Sequence, residues 1–134
     1  MIDVKQMNAL TLAYIGDAVI ELYVRKHLIQ QGIAKPNDLH QRAVRYVSAS
    51  AQANVLHRFI ETDELDEEEA AIVRRGRNAK SASIPKNVDI GTYRYGTALE
   101  ALIGYHHLTG NEERTAELIS LMFRWVEEGE TVEK

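Results

Sequence analysis

Apolar side chains return along this chain at intervals of three, four and seven, the spacing of helices that bury one stripe. Between Val4 and Gln31 the series Ile15, Val19, Leu22, Ile29 predicts a helix, with Asn8 placed to cap a fresh start and Gly32 to stop it. The turn Ala34-Lys35-Pro36-Asn37 leads into a second helix with Leu39, Ala43 and Val47 on one side. The phase shifts at Ser48, a suitable cap for a helix through Ala51, Val55, Leu56 and Phe59. Asp66-Glu67-Glu68-Glu69 has the form of a capping box ahead of Ala70, Ala71, Ile72 and Val73. That helix carries Arg74 to Arg77 at its C-terminal end, where the helix dipole favours cations. Ser81 to Asp89, with Pro85, reads as the longest loop. A further helix is expected from Ile90 to Leu108, then a turn at Thr109-Gly110-Asn111. Asn111 caps a last helix through Leu118, Leu121, Phe123 and Val126, with a frayed tail after Gly129. No stretch reads as a strand, so the expected fold is all-α.

Two of these helices break their own pattern. Leu12 to Glu21 has the spacing of a buried helix, yet Gly16 and Asp17 stand side by side in its middle. Ala98 to Gly104 places Glu100 among small and apolar residues, with Gly104 one turn on. A glycine inside a helix costs about 1 kcal/mol relative to alanine and marks a place where another backbone comes close. A carboxylate among apolar neighbours is expensive to bury unless it is paired or bound to a metal. The two glycines are therefore expected to let the helices pack tightly, with Asp17 facing Glu100.

Composition bounds the class. The chain has 134 residues, enough for one domain (residues 1–134) with a real core, and is 45% apolar and 27% charged. It has no cysteine, which excludes disulfides and thiolate metal sites. No apolar run approaches the ~18 residues that span a bilayer, and no signal peptide is legible, so the expected home is the cytoplasm. The net charge of −4 would disfavour nucleic acid if it were evenly spread. It is not: Asp63 to Glu69 holds six acids in seven residues, whereas Arg74 to Asn87 holds five basic residues and no acid. A local basic patch matters more to a polyanion than the sum does.

Two carboxylates on neighbouring helices suit magnesium, which takes oxygen ligands, keeps several waters and can polarise a phosphodiester. Pairing of Asp17 and Glu100 with arginine or lysine is an equal alternative on spacing alone. Arg74, Arg75, Arg77, Asn78, Lys80 and Ser81 suit phosphate and sugar contacts, and Lys86 and Asn87 in the following loop suit a duplex groove; a solvated helix end is the bland alternative. No base-stacking platform accompanies them, so recognition of double-stranded RNA by shape and phosphate is favoured over reading of single strands. His106 and His107 are adjacent and point about 100° apart on a helix, which suits structural or surface roles. Tyr14 and Tyr93 read as core residues, Gly76 sits in no phosphate-loop pattern, and Glu21 pairs most simply with Arg25.

Tyr14-Ile15-Gly16-Asp17-Ala18-Val19 resembles the signature of the ribonuclease III catalytic domain, and Glu100-Ala101-Leu102-Ile103-Gly104 its second acidic motif. With Arg75-Gly76-Arg77-Asn78-Ala79-Lys80-Ser81, Pro85-Lys86-Asn87 and Thr92-Tyr93-Arg94-Tyr95, the chain resembles the bacterial mini-ribonuclease III family from about Met7 to Leu121. The resemblance implies an all-α endonuclease fold working as a homodimer. It also implies magnesium as cofactor, double-stranded RNA as substrate, and 5′ phosphate and 3′ hydroxyl products. The family's task is trimming both ends of precursor 23S ribosomal RNA. By position Asp17 corresponds to the central catalytic aspartate and Glu100 to the final metal-binding glutamate.

Full-length ribonuclease III has further glutamates where this chain has Leu10 and Ala13, and an aspartate where it has Thr97. The mini family shares this thinning, and fewer anions should hold magnesium more weakly. The length also leaves no room for the appended RNA-binding domain, whose place the basic segment is expected to take. The functional expectation is a magnesium-dependent endoribonuclease in which Asp17 and Glu100 hold the metal. Arg77, Asn78, Lys80, Lys86 and Asn87, with Arg94, are expected to grip the duplex. The rival is a non-catalytic RNA-binding or ribosome-assembly module on the same fold.

Overall fold

A computed structural model describes residues 3–80 and 84–132. Within them a 3₁₀ turn (Val4–Gln6) precedes six helices: α1 (Ala9–Gln30), α2 (Pro36–Val47), α3 (Ala49–Glu61), α4 (Glu67–Asn78), α5 (Ile90–Leu108) and α6 (Glu112–Val132). No strand occurs among the described residues.

The helix starts are set locally. Leu10 N–H donates to the Asn8 side chain at 2.8 Å, and Ala51 N–H to Ser48 Oγ at 3.3 Å. Asp66 and Glu69 complete a reciprocal capping box at 2.8 and 3.0 Å. Asp89 caps α5 and Asn111 accepts from Arg114 N–H at 3.3 Å at the start of α6. Each cap satisfies an amide the helix itself cannot, worth about 1 kcal/mol. Gly32, with φ of 91°, follows the end of α1 in the left-handed region that glycine enters freely. The tail differs from expectation: α6 continues past Gly129 to Val132.

Helix α5 is the axis of the molecule, with α1, α3, α4 and α6 packed around it. Every residue from Gly96 to His106 is buried except Glu100, which keeps partial access to solvent. Leu99, Leu102 and Ile103 meet Ile20, Val24 and Leu28 of α1, Leu56 and Phe59 of α3, and Leu118, Ile119 and Met122 of α6 in one core. Truncating one of these to alanine costs about 2–5 kcal/mol.

The α1–α5 crossing is backbone on backbone. A Cβ at Gly16 would overlap the Glu100 carbonyl oxygen, and one at Gly104 the Leu12 carbonyl oxygen. Hence the glycine cost inside each helix is offset by an approach no other residue allows. The outer face of α1 departs from the sequence expectation: Leu22 and Ile29 are 58% and 59% exposed, and Tyr14, expected in the core, is 82% exposed. The large side chains α1 buries are Leu12, Val19, Ile20, Val24 and Leu28, so this helix carries apolar side chains on two faces.

Candidate active site

The close crossing of α1 and α5 decides the position of the two acids. Because Gly16 lies on the Glu100 backbone, Asp17 emerges beside the Glu100 side chain, and the two carboxyls are hydrogen-bonded. Burial pushes Glu100 up to about 8, and the Asp17 carboxylate adds to the rise both as acceptor and as negative charge. The buried Gln52 amide on α3 opposes it by hydrogen bonding to the Glu100 carboxylate. No ion pair joins lysine or arginine to either acid among the described residues. Neighbouring Glu21 is engaged by Arg25 at 3.3 Å. The salt-bridge alternative for Asp17 and Glu100 is therefore absent.

Two neighbouring acids with no cation between them form a place where positive charge is wanted. The donor set is hard oxygen, which fits magnesium better than a transition metal. It is also small. No group of three or more histidine, aspartate or glutamate side chains converges among the described residues. The positions occupied by acids in full-length ribonuclease III are put to other uses here. Ala13 is buried in a side cluster with Leu12, Ile72, Ala101 and Tyr105, and Thr97 Oγ1 donates to the Tyr93 carbonyl at 3.1 Å.

The basic end of α4 reaches the same section of α5. A Cβ at Gly76 would lie 2.6 Å from Ala98 Cα, two residues before Glu100. Arg77 lies over the Tyr95 ring at 4.7 Å, and the His57 ring also stacks on Tyr95 at 4.1 Å. Tyr95 precedes Glu100 by five residues, about 7.5 Å along the helix axis. Arg74, Arg77, Asn78 and Lys80 are exposed at this end, as are Lys86, Asn87 and Arg94 across the loop and first turn of α5. Arg75 differs: its guanidinium donates to the Lys5 carbonyl at 3.0 Å and to the Met7 carbonyl, tying the N-terminal turn to α4. Ser81 lies outside the described residues.

The model of the Ribonuclease III domain matches residues 10–111, a span that contains Asp17, Gln52, the basic segment and Glu100. A mini-ribonuclease 3 of Enterococcus faecalis is 49% identical over 134 residues, covering 100% of both chains. The chain belongs to the mini-ribonuclease III family. As a member it is an endoribonuclease. Another mini-ribonuclease 3, from Brevibacillus brevis, is 57% identical over 120 residues, 90% of this chain and 88% of that one. The fold recurs in a crystal structure of a Fusobacterium nucleatum protein with a TM-score of 0.80 and 32% identity, covering 92% of this chain and 98% of that one.

Sequence reasoning missed Gln52 and His57 at this crossing, and with them the contact that joins His57 to Tyr95. For Gln52 a signal was present, since a long amide between Ala51 and Ala53 in an apolar helix needs a buried partner. For the His57–Tyr95 contact there was none, because α3 and α5 meet only in the folded chain.

Proposed function

We propose that this chain is a magnesium-dependent endoribonuclease that cuts double-stranded RNA, with Asp17 and Glu100 as the ligands of the ion. The observation that carries the reading is the acid pair at the α1–α5 crossing, held together without a cation. Magnesium, when bound, supplies positive charge and Lewis acidity against the phosphate. The protein's own residues do the rest. Asp17 and Glu100, side by side at the α1–α5 crossing, would hold the ion between their carboxylates. Arg74, Arg77, Asn78 and Lys80 at the end of α4, with Ser81, Lys86, Asn87 and Arg94, hold the sugar–phosphate backbone; Arg75 instead ties the N-terminal turn to α4. Water adds to phosphorus and the 3′ oxygen leaves, giving a 5′ phosphate and a 3′ hydroxyl.

The chain acts as one catalytic unit over residues 1–134 and as a homodimer in the cytoplasm. Support for the dimer comes from the exposed apolar residues Tyr14, Leu22 and Ile29 of α1 and Val44 of α2. Exposed apolar side chains of this kind suit a contact with a second copy. Two copies extend the grip along a duplex. The substrate in the cell, precursor 23S ribosomal RNA trimmed at both ends, follows from the family resemblance.

The test is cleavage of a long RNA duplex with and without magnesium by wild type and Asp17→Asn, with duplex binding measured alongside. Cutting by the wild type in magnesium, and binding without cutting by the variant, is expected. Binding by both with cutting by neither would replace this reading with a non-catalytic RNA-binding module, a reading favoured by the small number of acids at the site.

A further inference from the structure

We infer that Gln52 is a positioning residue of the acid pair: its amide, delivered from α3, holds the Glu100 carboxylate turned toward Asp17 so that both can face one divalent cation. The inference rests on the metal-site reading above and adds a third helix to it.

Gln52 is 4% exposed on a helix whose buried neighbours are Ala53, Val55 and Leu56. Packing alone would favour an apolar side chain there, because a buried amide costs free energy unless its polar atoms are satisfied. The partner of this amide is the Glu100 carboxylate. The geometry fixes which end does what. Oε1 lies against Gly96, 3.3 Å from where a Cβ would stand, so the absence of a side chain at Gly96 is what admits the amide. Gly96 and Glu100 are four residues apart and share one face of α5. Gln52 thus sits on that face with its oxygen toward Gly96, which leaves its NH₂ to donate to the Glu100 carboxylate.

The choice of residue type is chemically apt. A lysine or arginine here would neutralise the pair and compete with the ion. Another acid would repel Glu100 whenever the ion is absent. A neutral donor orients the carboxylate and leaves its charge for the cation.

The experiment compares wild type, Gln52→Leu and Gln52→Glu by thermal melting across a magnesium titration and by steady-state cleavage of a long RNA duplex. For Gln52→Leu, the magnesium concentration that raises the melting temperature should increase on the order of tenfold, and kcat should fall by a similar factor. KM for the duplex should stay within about twofold, because Gln52 does not touch RNA. For Gln52→Glu, melting should be lower than wild type without the ion and recover with it. Gln52→Leu matching wild type in magnesium dependence and kcat would overturn the inference. So would a Gln52→Glu deficit that is the same with and without magnesium, and this arm decides the matter if Gln52→Leu does not fold. A wild type that neither cuts nor melts higher in magnesium would overturn the metal-site reading itself, and this inference with it. Failure of the Gln52 arms beside a responsive wild type overturns the role of Gln52 alone.

Discussion

Helix α5 takes part in two carboxylate clusters, through Glu100 and, six residues on, through His106, and they have opposite electrostatics. At one, Glu100 has another carboxylate for a neighbour and is pushed up to about 8 by burial and by Asp17. At the other, His106 Nε2 meets Glu69 at 2.7 Å, and Arg114 reaches the same carboxylate at 2.8 and 2.9 Å. Burial would raise Glu69 as well, but Arg114, the Asp66 amide and His106 overcome it and bring the group down to about 2. Arg114 also donates to the Glu64 carbonyl at 2.8 Å, so the cluster pins α4 and the loop before it to α6. An acid with its cation built in is scaffolding. An acid pair lacking one is a candidate to take a cation from outside.

Breaking each cluster should therefore give different phenotypes. The largest effect is on chemistry: Asp17→Asn should lower duplex cleavage by about a thousandfold or more, the scale of several kcal/mol of lost charge stabilisation. Glu69→Gln should cleave at the wild-type rate at any temperature where it is folded, read by the same assay. Next in size is stability: Glu69→Gln should lose about 3 kcal/mol, measured by denaturant unfolding, because the half-buried Arg114 and the buried His106 lose the charge of the buried carboxylate between them.

The pH dependence sharpens the same contrast. Glu69 is depressed from 4.5 to about 2 on folding, so its contribution is present above pH 4.5 and is lost as pH falls toward 2. Two and a half units correspond to about 3 kcal/mol. A Glu69→Gln variant should show a flatter stability profile than wild type across that window in unfolding titrations. A smaller effect is expected at the basic end of α4. Replacing Tyr95 by leucine removes the ring under Arg77, worth about 0.5–1 kcal/mol, and should weaken duplex binding about threefold with little change in kcat. Smallest of all is Arg25→Ala, which breaks the exposed Glu21–Arg25 pair and should cost under about 0.5 kcal/mol by unfolding.

What could be read in the sequence was what is decided locally. Asn8, Ser48, Asp66 and Asn111 cap helices as expected, because a cap needs only its own first turn. The meeting of Asp17 with Glu100 was legible for a different reason. Each acid sits beside or one turn from a glycine, and two such helices have one way to use that shared oddity. Gln52 was not read, since its partner lies on another helix. Arg75 looked like its basic neighbours, although its guanidinium is spent on two backbone carbonyls remote in sequence. Leu22 and Ile29 obey the helical period yet point outward, because periodicity finds an apolar face without saying what covers it.

The most direct measurement is the melting temperature of Asp17→Asn beside Glu69→Gln, each against wild type, in chelator at neutral pH. If the acid pair is a site held ready for a cation, relieving it should leave Asp17→Asn melting at or above wild type while Glu69→Gln melts well below. An Asp17→Asn variant that melts as far below wild type as Glu69→Gln would contradict this, and would make the pair at the α1–α5 crossing a structural contact like the other.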